Sequence, residues 1–273
     1  MGMLSDGRAV LAHDTVTRHG TELPVVLVHA GIADRRMWDP QWEALTTDLD
    51  AVRVDLRGFG ESDAIPTQPF SHPEDVLATL DELGVVRCHL VGASLGAGVS
   101  LEVALARPDI VESLVLAPPG GSLLATRTDD LAEFVAAEVA ALDAGDVDAA
   151  VTANLDAWVA GRGRSLDDVD PGVVASVARM QRNAFDIQLG WGDEAIDLES
   201  EPAIDPMHRL AEVLAPTLVL VGGLDLDTTL DSADRLEHGL EDATRIGWAD
   251  VAHLPSMEQP ERFTELLFEW LVP

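Results

Sequence analysis

The five residues Gly92-Ala93-Ser94-Leu95-Gly96 constrain this chain more than any other stretch. The apolar run CHLVG at 88–92 reads as a buried strand, and residues 95–106 read as a helix that stops near Pro108. A direct strand-to-helix reversal forces the serine into a sharp, strained turn. Small neighbours must surround it, and Gly92, Gly96, Ala97 and Gly98 supply them. Such a turn exposes the Ser94 hydroxyl and aims the N-terminus of the next helix toward it. The alternative is a glycine-rich turn with an incidental serine; the flanking strand and helix argue against it.

The same alternation recurs along the chain. Residues 9–17 alternate loosely and read as an edge strand, while 24–29 (PVVLVH) read as a buried one. A helix is expected at 38–49, a strand at 52–56, a helix from Ser71 or His72 to Leu83 ended by Gly84, and a strand at 110–116. Strands alternating with helices at this spacing predict a parallel sheet with helices on both faces. From 121 to 206 the pattern changes. Helices are expected at 130–142 and 147–159, with Gly145 and Gly161 as breakers, and a third from Pro171 to about Leu189, but no convincing strand. The strand pattern resumes at 217–221, followed by a helix at 229–240, a strand at 244–248 and a last helix at 260–271. The expected division is a core of 1–120 and 207–273 with a helical insertion at 121–206.

The serine needs a base, and the chain has 8 histidines. His253 falls after the last strand and before the last helix, in a loop at the carboxyl edge of the sheet, where open α/β sheets bind ligands. His89 sits on a central strand and reads as a core residue. His13, His19 and His238 read as surface residues, and His208 lies at the edge of the insertion. An imidazole base needs a carboxylate to fix its tautomer. Asp225 follows the strand at 217–221 through a Gly-Gly turn; Asp227, two residues on, is its rival. The other position open to the acid, after the strand ending at Leu116, reads Ala117-Pro118-Pro119-Gly120 and carries no carboxylate. Negative charge developing on a substrate oxygen calls for two backbone N–H donors. Leu95, next to the serine, supplies one; Ile32, in the loop after the strand at 24–29, is expected to supply the other.

Five segments, HAGIADRRMWDPQ, DLRGFGESD, LVGASLGAG, LVGGLDLD and AHLPSMEQPERF, resemble the α/β-hydrolase superfamily, in the branch with 3-oxoadipate enol-lactonases, small esterases and cofactor-free haloperoxidases. The resemblance covers nearly the whole chain. It implies the α/β-hydrolase fold, with a mostly parallel central sheet, helices on both faces and a helical cap at 121–206 that roofs the pocket. It implies a triad of Ser94, Asp225 and His253, in that family's chain order. It gives His29 a scaffolding role and makes the loop Asp55–Arg57–Gly58–Gly60–Ser62 architectural. The family's commoner Ser-x-Gly-Gly reads Ser94-Leu95-Gly96-Ala97 here, a mild departure.

The expected chemistry is hydrolysis of a small carboxylic ester or lactone through an acyl-enzyme. Perhydrolysis and carbon–carbon bond hydrolysis on the same triad stay open, and a ligand-binding sensor ranks below them. A serine nucleophile argues against the dehalogenase and epoxide-hydrolase relatives, which use aspartate. No cofactor or metal is expected. Arg35 and Arg36, after the Ile32 loop, either meet a substrate carboxylate or pair in solvent with Asp34 and Asp39; the second is preferred.

Composition narrows the partners. The chain has 273 residues, with 49 acidic against 17 basic ones, all arginine, for a net charge of −32. Such a surface repels nucleic acid and anionic headgroups, so neither is an expected partner. It reads equally as adaptation to high salt or as the mark of a GC-rich genome. The longest apolar stretch is too short to span a bilayer. The first ten residues carry Asp6 and Arg8 and no apolar run, so no signal peptide is expected. With one cysteine, Cys88, no internal disulfide can form, and the cytoplasm is the expected compartment.

Overall fold

A computed structural model describes residues 1–4, 7–17, 20, 23–124, 126–200 and 205–271. The apolar runs form one seven-stranded sheet. Its strands are β3 (His13–Val16), β4 (Val25–Val28), β5 (Ala51–Val54), β6 (Cys88–Ser94), β7 (Val111–Pro119), β8 (Thr217–Gly222) and β9 (Ala243–Trp248), in the order β3-β5-β4-β6-β7-β8-β9. Only β3 runs antiparallel to its neighbour. The central strands are buried on both faces, which is why they read as continuous β-branched runs. Along β4, β6, β7 and β8, successive residues enter two separate cores. Leu27, Val91, Val115 and Leu218 pack on one face, with Leu45 and Phe263; Val28, Leu90, Leu114 and Val219 pack on the other, with Val76, Leu101 and Leu236.

The helices covering these faces are α1 (Asp39–Asp48), α2 (His72–Glu82), α3 (Leu95–Ala106), α8 (Asp227–Gly239), α9 (Pro255–Glu258) and α10 (Pro260–Leu271). Between β7 and β8 lie α4 (Asp129–Asp143), α5 (Val147–Asn154), α6 (Pro171–Trp191) and the short α7 (Asp193–Ile196). Among the described residues of that segment the only strand-like pairing is an isolated bridge from Glu199 to Phe70. Among the described residues no helix is long and apolar enough to cross a membrane.

Two expected elements come out differently. The strand expected at 9–17 is split: β2 (Ala9–Val10) pairs with β1 (Gly2–Met3), and only β3 joins the main sheet. Side chains take amides within β2 and between it and β3: Ala9 N–H donates to Asp75 Oδ1 at 2.6 Å, Leu11 N–H to Thr79 Oγ1 at 2.9 Å and Ala12 N–H to Ser62 Oγ at 2.9 Å. The helix expected at 147–159 stops at Asn154 and widens into a π turn, Leu155–Ala160. The carbonyls of Trp158, Val159 and Ala160 are taken from outside the helix, by His253 N–H and by the Arg164 guanidinium.

Candidate active site

Strand β6 runs into α3 without a spacer, and Ser94 sits on the junction. Among the described residues it is the one non-glycine with a positive φ, 53°. The small residues around it are obligatory. A Cβ at Gly92 would lie 2.2 Å from Gly96 O, and one at Gly96 would lie 2.3 Å from Val28 O. The register pairs Val28 with Gly92 and Ser94 with Pro119, so the serine crowns the carboxyl edge of the sheet.

The loops after β8 and β9 bring the other two groups to the same edge. His253 Nε2 lies 2.7 Å from Ser94 Oγ, and His253 Nδ1 lies 2.7 Å from Asp225 Oδ2. Asp225 is fully buried and His253 nearly so. An ionised carboxylate only accepts, so Nδ1 carries the ring proton and Nε2 is free to accept from the Ser94 hydroxyl. The second oxygen, Asp225 Oδ1, accepts from Leu226 N–H at 2.8 Å. Asp227 instead starts α8 and pairs with Arg162 at the surface. The geometry therefore separates the two rival carboxylates.

The loop carrying Ile32 packs on the start of α3. Its anchor is His29, which is fully buried. Leu56 N–H donates to His29 Nε2 at 2.9 Å, so the ring proton must be on Nδ1, which donates to Ala30 O at 2.8 Å. Burial keeps this imidazole below its ordinary pKa, hence neutral. Gly96 N–H donates to His29 O at 3.1 Å, tying the loop to the serine's helix. The expected scaffolding role of His29 has a physical basis in these contacts. The Asp55 loop is likewise held, both from within and by its neighbours. Asp55 accepts from the amides of Arg35 (2.8 Å) and Glu61 (2.9 Å). Arg57 donates through Nε and Nη2 to Asp75, each at 2.8 Å, with both side chains fully buried.

His89, His13 and Arg35 differ from expectation, while His238 and Arg36 do not. His89 is half-buried and its Nδ1 meets Ser113 Oγ at 2.7 Å, a polar contact rather than a place in the apolar core. His13 is half-buried, His208 and His238 are exposed, and His19 lies outside the described residues. Arg35 is only 13% exposed and pairs with Asp14, Asp55 and Glu61, so it is neither solvated nor free for a substrate. Arg36 pairs with Asp34 as expected, while Asp39 is taken by Arg53. Arg36 also borders a cleft of about 530 Å³ floored by Met37, Met180 and Met257.

Several neighbours of the site were not foreseen. The Trp158 ring lies 4.4 Å from that of His253, and Phe134 packs edge-on against Trp158. A Cβ at Gly120 would lie 2.7 Å from Ser94 Oγ, so only glycine fits beside the hydroxyl. Glu258 accepts from Ala252 N–H, next to His253, and pairs with Arg164. Of these only Glu258 left a trace in the sequence, as an acid five residues after His253. Among the described residues no cluster of His, Cys, Asp or Glu is placed to hold a metal ion.

Comparison with known proteins identifies the fold. The sequence profile described as the alpha/beta hydrolase fold matches residues 24–260. The chain belongs to that family. Within the family it is similar to 3-oxoadipate enol-lactonase 1 of Acinetobacter baylyi, 25% identical over 235 residues that cover 85% of this chain and 82% of the relative. It is similar to the pimeloyl-[acyl-carrier protein] methyl ester esterase of Aeromonas hydrophila, 27% identical over 93% of this chain and 97% of the relative. Among solved structures, a thermophilic esterase from Thermogutta terrifontis superposes with a TM-score of 0.74 at 26% identity, covering 96% of this chain and 92% of that one.

Proposed function

We propose that this α/β-hydrolase is a serine hydrolase of small carboxylic esters or lactones, working through an acyl-enzyme. The observation that carries the reading is the unbroken line Asp225–His253–Ser94, with both contacts at 2.7 Å and the acid fully buried. A lone strained serine would support only a nucleophile; a serine bonded to an oriented base supports a complete proton path.

In the proposed cycle Ser94 Oγ attacks the substrate carbonyl carbon and passes its proton to His253 Nε2. Asp225 holds the ring and offsets the charge of the imidazolium. The amides of Ile32 and Leu95 receive the oxyanion. The tetrahedral intermediate collapses, His253 returns the proton to the departing alkoxide, and the acyl group stays on Ser94. Water then attacks that ester with His253 as its base, releasing the acid. Residues 121–206 act as a cap, with Trp158 as the wall above His253. The relatives named as an enol-lactonase and a methyl ester esterase favour oxygen esters, cyclic or linear, as the substrate class.

The test is Ser94→Ala, assayed against 4-nitrophenyl esters of graded length and a series of lactones, beside labelling by a fluorescent phosphonate. Turnover should fall about 10⁴-fold or more and labelling should vanish, with an unchanged thermal transition. Near-normal turnover by a folded variant would falsify the proposal.

A further inference from the structure

His253 sits in a loop, and something must keep its ring on the line between Ser94 and Asp225. The core holds part of that loop, since Leu224 N–H donates to Val251 O at 3.0 Å and Gly222 packs under Ala252; the rest of the hold comes from the insertion. The His253 N–H donates to Trp158 O, in the helical insertion, at 3.2 Å, and the Trp158 ring lies against the imidazole. The preceding amide, Ala252 N–H, donates to Glu258 Oε1 at 2.8 Å. The other oxygen of Glu258 receives Arg164 Nη2 at 2.7 Å. Arg164 then closes a ring of contacts by donating Nε to Ala160 O and Nη2 to Val159 O, each at 2.8 Å.

The same stretch of the insertion reaches the acid's loop. Arg162 N–H donates to Leu224 O, next to Asp225, at 2.7 Å. Between them Gly161 has φ 72°, and a Cβ there would lie 2.4 Å from Leu224 O and 2.7 Å from the Ala252 Cβ. Residues 158–164 are therefore pressed against both loops at once. The Glu258 and Arg164 side chains are only 6% and 16% exposed. A buried ion pair is a poor source of net stability, since desolvation offsets its attraction. What it adds over an apolar pair is directional, charge-assisted bonding and a local field.

We propose that the Arg164–Glu258 pair is a positioning device for His253, clamping residues 158–164 of the insertion onto the loops that carry the base and its acid. It rests on the serine-hydrolase reading and says which residues outside the triad tune the base. The charged group bonded to His253 is Asp225; Glu258 takes the amide just before it, and Arg164 pairs with Glu258. The exposed Arg162–Asp227 pair lies further out, and Asp250 on the histidine's own loop is engaged by Gln259 and Arg262. Arg164 and Glu258 together are neutral; either alone is not. Burial pushes the Glu258 carboxyl up, against the pull of the Ala252 amide and Arg164.

The test compares Glu258→Gln, the double variant Arg164→Met/Glu258→Gln and Arg164→Lys. The glutamine keeps an acceptor for Ala252 N–H but leaves the guanidinium uncompensated. A positive charge disfavours the imidazolium, so the acid limb of the kcat/KM profile for 4-nitrophenyl acetate should move down by about half a unit or more. Removing both charges should return the limb to its wild-type position while kcat stays low. Arg164→Lys keeps the charge and loses the fork on Val159 and Ala160. Its limb should stay in place while kcat falls about tenfold with KM within about twofold. A purely structural pair would give no restoration in the double variant. An unmoved limb in folded Glu258→Gln, a displaced limb in the double variant, or a wild-type kcat in Arg164→Lys overturns the proposal; the lysine variant tests it alone should the glutamine variant not fold. Phosphonate labelling of Ser94 in each protein keeps the two readings apart. Labelling with any of these outcomes sinks only the positioning role, whereas absence of labelling in the wild type sinks the triad.

Discussion

Replacing Asp225 with asparagine removes an acceptor at a point where both carboxylate oxygens are in use. Oδ1 accepts from Leu226 N–H at 2.8 Å and Oδ2 from His253 Nδ1 at 2.7 Å. Asparagine offers one oxygen and one NH₂ for these two places. The Leu226 donor is fixed by the backbone, while the imidazole can change tautomer. Leaving a buried amide donor facing another donor costs about 1–3 kcal/mol. The oxygen should therefore stay on Leu226, the NH₂ should face Nδ1, and the ring proton should move to Nε2. There it points at Ser94 and cannot receive the serine's proton. The tautomer bias alone removes about five- to 150-fold of activity, at about 1.36 kcal/mol per decade. Loss of the charge that stabilises the imidazolium adds the rest, for a total on the order of 10⁴-fold in kcat. Asp227→Asn breaks only the exposed pair with Arg162, worth about 0–1 kcal/mol in stability, and should leave kcat within about twofold. The assay is kcat for 4-nitrophenyl esters in both variants, with denaturation curves beside it. An Asp225→Asn enzyme within tenfold of wild type, or a crippled Asp227→Asn enzyme, refutes the reasoning.

Three further outcomes are expected. Asp75→Ala leaves the buried Arg57 guanidinium without its partner and should cost about 3–5 kcal/mol in urea denaturation; a loss under about 1 kcal/mol contradicts it. His29 has its folded pKa depressed by burial, so the stability it contributes is complete above the unfolded value of about 6.5 and is lost as pH falls through the folded one. Wild type should therefore lose stability between pH 7 and pH 5 relative to His29→Gln, and parallel denaturation profiles would rule this out. With a net charge of −32, the melting temperature should rise with KCl more than for a near-neutral hydrolase of similar size, because about 1 M salt shortens the Debye length to about 3 Å. A flat or falling series leaves genome composition as the better account of the acidic surface.

The core of the fold was legible because its strands are buried on both faces, and burial of that kind writes itself as unbroken Val and Leu runs. Ser94 was legible for a related reason: a Cβ at Gly92 or Gly96 would lie 2.2 or 2.3 Å from a backbone carbonyl oxygen, and a glycine demand of that kind is visible in one dimension. The split at residues 9–16 was not legible, since it depends on Asp75 and Thr79, more than 60 residues away, taking amides that a strand would have paired. Arg35 was misread for the same reason. Its partners Asp14 and Asp55 are about 20 residues distant on either side, while the neighbours Asp34 and Asp39 serve other arginines.

The least legible part is where the helical insertion meets the candidate triad. The periodicity of 147–159 is helical throughout, yet the helix gives way at Leu155. Helix propensity is worth tenths of a kcal/mol per residue, whereas the carbonyls at 158–160 gain bonds to an amide and to a buried guanidinium. Tertiary partners win that contest, and their number follows from the loops they must reach. An insertion that only roofed a pocket would be free to end its helix wherever its own caps allowed. On the proposed positioning role the helix breaks where Trp158 reaches His253, and the π turn falls at that point. Sequence change in 155–164 should therefore act on turnover as well as on substrate choice, whereas change in the more exposed α4, away from Phe134 on Trp158, should act on substrate choice alone.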